Sequence, residues 1–137
     1  WIQKGVYYID TREPNGDALV IHGFDDMLKS EQVWEPDQSL EFPMTMVKAV
    51  NIIAGIMGVT VDARTSLNSS YTLDYPANEY TLRDVLRYIA AAHAGNWIMS
   101  DAGELRLIKI NELPEETNYL IDEIGDWITF GGDRILV

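Results

Sequence analysis

The clearest hydrophobic pattern in the chain runs from Tyr80 to Ile110, where a helical period gives way to short apolar runs. Thr81 stands at an N-cap position, and Asp84 can complete a capping box with it. Gly95 is expected to end the helix. The positions that recur at helical spacing are Leu82, Val85, Leu86, Ile89, Ala90 and His93.

A β-hairpin is predicted directly after this helix. Trp97 to Met99 and Leu105 to Ile110 are apolar runs on either side of a Ser-Asp-Ala-Gly segment. Such a segment favours a tight reversal between antiparallel strands.

A second helix is predicted from Thr45 to Gly58, with the threonine as N-cap and the glycine as C-cap. Residues 59–61 then predict a short strand. Because this stretch matches residues 81–95 in pattern, a helix-strand duplication is one interpretation, and chance similarity of amphipathic helices is the other. The predicted inner face consists of Met46, Val50, Ile53 and Met57, widened by Ala49, Ile52 and Ile56.

The N-terminal part of the chain predicts another hairpin. Val6–Ile9 and Ala18–Ile21 flank a Pro-Asn-Gly-Asp turn signal. A short helix over Asp25–Gln32 is expected to follow, capped by its first residue and packed through Met27 and Leu28.

The remaining segments predict connections and terminal strands. The acidic segment 34–43, with two prolines, is expected to link two subregions, and the polar segment 62–78 to form a surface loop with a short strand at 71–73. Near the C-terminus, Trp127–Phe130 and Arg134–Val137 flank a Gly-Gly-Asp turn and predict a hairpin or strands of a neighbouring sheet.

Together these elements predict an α+β fold in which two helix-plus-strand or hairpin units pack with flanking antiparallel β segments. Residues 1–35 would belong to a β-rich domain, residues 36–113 would form an α+β insertion-like domain, and residues 114–137 would return to the first subregion. The chain opens on Trp1 within a predicted strand, so a piece of a longer protein is expected.

The composition of the chain argues against several classes of partner and site. The 137 residues carry a formal net charge of −12, which disfavours nucleic acid and anionic membrane surfaces as partners. With no cysteine, disulfides, thiolate nucleophiles and cysteine-ligated metals are excluded. No apolar run reaches the ~20 residues of a membrane-spanning helix.

The sequence offers few residues that could catalyse a reaction or bind a metal. His22 and His93 are the only histidines, and neither belongs to a metal-binding pattern. Three adjacent acid pairs, at 25–26, 115–116 and 122–123, are expected to be solvated rather than catalytic, because neighbouring side chains diverge. The sequence therefore predicts no catalytic, metal-binding or cofactor-binding residues and no enzyme activity. Carbohydrate stacking on Tyr71, Tyr75 and Tyr80 is a less favoured alternative.

Three segments carry a family resemblance. Residues 5–32, with Phe24-Asp25 followed by Met27-Leu28-Lys29, resemble a strand-turn-strand passage of tail and baseplate hub proteins of bacteriophages and prophages. Residues 80–108 are similar to a helix and hairpin of the same family, and residues 128–137 complete the set.

The resemblance implies a structural, ring-forming hub protein in the virion tail, made in the bacterial cytoplasm. Its implied partners are other tail or baseplate proteins and copies of itself, as a trimer in the full-length protein. Two alternatives remain: a ring-building module of a secretin-like envelope protein, and a cell-wall glycan-binding or hydrolase-associated domain.

Overall fold

The computed structural model describes residues 2–110, 129–130 and 133–134. It shows the predicted α+β fold, with every strand pair antiparallel. The elements in chain order are β1 Tyr8–Asn15, β2 Ala18–Phe24, a 3-10 helix Asp26–Glu31, β3 Met44–Thr45, α1 Met46–Met57, β4 Thr72–Leu73, α2 Leu82–Ala92, β5 Gly95–Met99, β6 Leu105–Lys109, β7 Thr129–Phe130 and β8 Asp133–Arg134.

The predicted capping box at the start of α2 is confirmed. The Thr81 hydroxyl accepts a hydrogen bond from the Asp84 backbone N–H, and the Asp84 carboxylate accepts one from the Thr81 N–H, both at 3.1 Å. Each bond satisfies a backbone or side-chain group that the first helical turn would otherwise leave unpaired. The predicted inner face is buried from Leu82 through Ala90.

The prediction that Gly95 ends α2 is wrong by a few residues. The helix ends at Ala92, and Ala94 adopts the left-handed conformation with φ of 49°. Gly95 is instead the first residue of β5, where an added Cβ would lie 2.6 Å from the Ile108 carbonyl oxygen. Close approach of the partner strand therefore accounts for this glycine.

The caps of α1 are confirmed, and its inner face is confirmed with one exception. Thr45 Oγ1 accepts from the Lys48 N–H, and Gly58 closes the helix with φ of 69°. Ile56 was expected to widen the apolar face but is exposed, while Ala54 is buried. Residues 59–61 form no strand, so the helix-strand duplication has no counterpart after α1; Val61 makes only an isolated parallel bridge to Leu105.

A single hydrophobic cluster joins both helices to β5 and β6. Trp34 belongs to it and is 1% exposed, although segment 34–43 was expected to be a mere connection. The Trp34 indole donates to the Pro76 carbonyl at 2.6 Å, and its backbone N–H donates to the Tyr80 carbonyl. The linker thus anchors the loop that precedes α2.

The N-terminal hairpin is confirmed and is longer than predicted. β1 begins at Tyr8 rather than at the predicted Val6, Pro14 and Asn15 continue it, and the turn falls at Gly16 and Asp17. The short helix after β2 is a 3-10 helix capped by the Asp25 carboxylate. Leu28, expected to face inward, is half exposed.

Strands β7 and β8 form a two-residue antiparallel pair within the predicted C-terminal hairpin. The rest of segment 114–137 lies outside the described residues. Its return to the N-terminal subregion, and the three-part division of the chain, stay predictions.

Candidate functional site

The two histidines have different surroundings, and only the His93 ring has hydrogen-bonding partners among the described residues. The His93 ring is buried, its Nε2 accepts from the Asn68 backbone N–H at 2.9 Å, and its Nδ1 lies 2.8 Å from the Ile89 carbonyl oxygen. Since the first contact needs an unprotonated Nε2, the ring is the neutral tautomer with Nδ1–H donating to Ile89. His22 is exposed on β2, opposite Thr11.

Within residues 2–110 and the short C-terminal strand pair, no group of three or more His, Cys, Asp or Glu is arranged to hold a metal ion. The acid pair at Asp25 and Asp26 is divided between two tasks: the first caps the 3-10 helix, and the second pairs with Lys29 at 2.6 Å. The pairs at 115–116 and 122–123 lie outside the described residues.

Asp62 is the most perturbed carboxylate among the described residues. Its side chain is buried, and it accepts hydrogen bonds from the Arg64 backbone N–H and guanidinium. The side-chain hydrogen bond from Arg64 is the main cause that lowers the pKa of Asp62 from 3.8 to about 2. The Asp62 N–H also donates to the Leu105 carbonyl at 2.9 Å, so this pair fastens the loop after α1 to β6. It is a structural ion pair.

The β1–β2 hairpin presents an unusual surface. Among the described strands, β1 and β2 pair only with each other. Their register places Ile9, Leu19 and Ile21 on one side, which we call the aliphatic face. Each of these side chains is more than half exposed. The other residues that pair on this side are Arg12, Pro14 and Gly23; Asp10, in the bulge after Ile9, has no cross-strand partner and lines a groove with Ile9, Asp25 and Asp26.

A second exposed feature is a groove of about 470 Å³ between the β4–α2 loop and the first turns of α2. Tyr75, Tyr80 and Tyr88 line it, and we call it the tyrosine groove. All three side chains are more than half exposed, while Leu73 and Val85 form a buried floor.

The loop that builds the tyrosine groove has an uncommon backbone. Ala77, which lines the groove, has φ of 50°, and Glu79 has φ of 72°. Left-handed conformations cost free energy for residues with a Cβ and persist only where the surrounding structure holds them. The two hydrogen bonds from Trp34, to Pro76 and to Tyr80, supply that support.

The sequence grouped Tyr71 with Tyr75 and Tyr80, and the structure separates them. Tyr71 lies against the His93 ring, with centroids 5.1 Å apart, outside the tyrosine groove. Tyr88 takes its place. The signal that could have identified Tyr88 is its position four residues after Asp84, because residues at this spacing share a helix face.

No helix among the residues described has the length and hydrophobicity to cross a membrane. No family model, curated protein or solved structure matches the chain. The resemblance to tail hub proteins therefore stays a hypothesis carried by residues alone.

Proposed function

We propose that this chain is a structural component of a bacteriophage or prophage tail, in the baseplate hub, and that it acts through assembly with copies of itself and with other tail proteins rather than through catalysis. The proposal joins the resemblance of residues 5–32 and 80–108 to one structural observation. That observation is the exposed aliphatic face of the β1–β2 hairpin.

An isolated two-stranded hairpin is marginally stable in water, and contiguous exposed apolar side chains usually mark an interaction surface. Among the described residues, the outer edges of β1 and β2 have no strand partner, so their backbone groups can extend a sheet. Covering Ile9, Leu19 and Ile21 would remove apolar area from water at about 25 cal/mol per Å².

Electrostatics favour this side of the hairpin for contact between copies. Two chains of net charge −12 repel each other at most orientations. At Leu19 and Ile21 the face pairs with Pro14 and the cation Arg12, so copies that meet at this end bring no carboxylate of the paired residues together, whereas Ile9 lies in a groove beside Asp10, Asp25 and Asp26. If β1 of one copy meets β2 of the next, the contact is heterologous, and it generates a ring such as a trimeric hub where the rotation between successive copies closes.

The location of the protein on tail-like particles tests the proposed tail role directly. Antibodies raised against the chain should label one end of tail-like particles induced from the strain that encodes it, as seen by electron microscopy. Labelling confined to the cell envelope, with unlabelled particles, would refute the tail role and favour the secretin-like alternative.

A pair of charge variants tests the aliphatic face. Ile21→Lys places a cation on that face and should weaken self-association, because a charged side chain would lose water at the contact. His22→Lys, on the neighbouring position and the opposite side, should leave self-association unchanged. Equal effects of both variants, measured by sedimentation velocity, would mean that the aliphatic face is not the contact.

A further inference from the structure

We propose that the tyrosine groove is a binding site for a basic side chain, arginine or lysine, presented by an extended segment of a partner protein. This goes beyond the assembly role of the hairpin, because the groove lies on other elements and uses other chemistry. Binding in the groove does not depend on contact between the β1–β2 hairpins of two copies.

The aromatic lining suits a cation. Tyr75, Tyr80 and Tyr88 expose most of their side chains around one concave surface. The face of a tyrosine ring carries negative electrostatic potential, so it attracts an ammonium or guanidinium group within about 6 Å. A groove of about 470 Å³ admits a long basic side chain together with the backbone that carries it.

The charge of the groove is complementary to the same ligand. Asp74 and Asp84 line it, and no lysine or arginine of the part of the chain that the structure describes does. Hydrogen bonds from Thr81 lower the pKa of Asp84, so this carboxylate stays ionised at neutral pH. Arg87 lies 3.8 Å from Asp84, but its side chain is largely exposed and can turn away when another cation arrives.

The groove is held in shape before any ligand binds. Trp34 ties the loop at Pro76 and Tyr80, and the capping box fixes Asp84 at the start of α2. The floor formed by Leu73 and Val85 belongs to the hydrophobic core. A site that is already ordered loses less conformational entropy on binding, which favours recognition of a flexible segment.

The probe is the blocked tripeptide acetyl-Gly-Arg-Gly-amide, titrated into the isotopically labelled chain while the amide signals of the groove are followed by NMR. Its uncharged match is acetyl-Gly-Gln-Gly-amide. The arginine peptide should shift the signals of Ala77 and Val85 saturably, and added NaCl should weaken its binding because salt screens exposed charges.

Groove variants separate specific binding from general attraction to an acidic protein. Tyr75→Ala and Tyr88→Ala should each weaken binding about 2- to 5-fold, and Asp74→Asn should also weaken it. Tyr7→Ala and Asp101→Asn alter exposed residues outside the groove and should leave the affinity unchanged. Circular dichroism on each variant confirms that the fold is retained.

Three results would overturn the proposal: no saturable shift at groove signals, equal binding of the glutamine peptide, or groove variants that bind as the wild type does. Saturable binding of an N-acetylglucosamine oligomer at these signals, without binding of the arginine peptide, would also overturn it and assign the groove to glycans instead.

Discussion

Truncation of Leu86 to alanine tests the placement of α2 against the core. Leu86 is 1% exposed and belongs to the cluster that joins α1, α2, β5 and β6. Its carbonyl oxygen also accepts the hydrogen bond of the buried Trp97 indole at 2.8 Å. The methine and the two methyl groups that are lost cost roughly 2.4 kcal/mol in transfer free energy, at about 0.8 kcal/mol for each carbon.

The cavity that remains adds to this cost, because neighbours held by two helices and a hairpin can collapse into it only in part. We therefore expect Leu86→Ala to lower the free energy of unfolding by about 3 kcal/mol, within the range of about 2 to 5 kcal/mol for buried leucines. Urea denaturation followed by tryptophan fluorescence measures the change.

Arg87→Ala is the matched control on the exposed side of the same helix. The Arg87 side chain is 69% exposed and pairs weakly with Asp84, so its loss should change stability by less than about 0.5 kcal/mol. A loss below about 0.5 kcal/mol for Leu86→Ala, or equal losses for both variants, would refute the packing of α2.

Three further substitutions test local features. Because the folded pKa of Asp62 lies below its ordinary value, its pairing with Arg64 stabilises the fold above about pH 4, and this contribution is lost as pH falls from 3.8 towards about 2. The difference in stability between the wild type and Asp62→Asn should therefore close over that range in acid titrations followed by circular dichroism. A constant difference would contradict this role of the pair. Ala94→Gly should raise stability by about 0.5 to 1 kcal/mol because it relieves a left-handed φ at an exposed position, and unchanged or lower thermal stability would count against that strain. Gly95→Ala should destabilise the protein, because its Cβ would meet the Ile108 carbonyl at 2.6 Å; a melting temperature equal to that of the wild type would show that the strands can separate.

Elements coded by local residues could be predicted from the sequence. The capping box of Thr81 and Asp84, and the closing Gly58 of α1, depend on neighbours within one or two helical turns, so their types and spacing suffice. The β1–β2 hairpin was predicted for the same reason, although its turn takes only Gly16 and Asp17 of the predicted four-residue turn segment 14–17.

Features that depend on distant contacts could not be predicted. Trp34 is buried because it bonds to Pro76, 42 residues away, and no periodicity in the acidic linker reports this. Residues 59–61 have strand-like composition, yet they meet β6 only at Leu105, through an isolated bridge from Val61 and a hydrogen bond to the Thr60 carbonyl.

The tyrosine groove combines features that local sequence predicts with features that depend on distant contacts. Two of its tyrosines were singled out from the loop sequence, but the third lies on α2 and joins them only through the fold. The left-handed backbone at Ala77 and Glu79 carries no sequence signal, because neither residue type favours that conformation.

Self-assembly is the central claim, and the solution mass of the wild-type chain tests it most directly. Light scattering coupled to size-exclusion chromatography, over a wide range of concentrations, should give one discrete mass that is a small multiple of the chain mass, with a trimer expected from the family resemblance. A monomer at every concentration would contradict the claim that this chain assembles with its own copies.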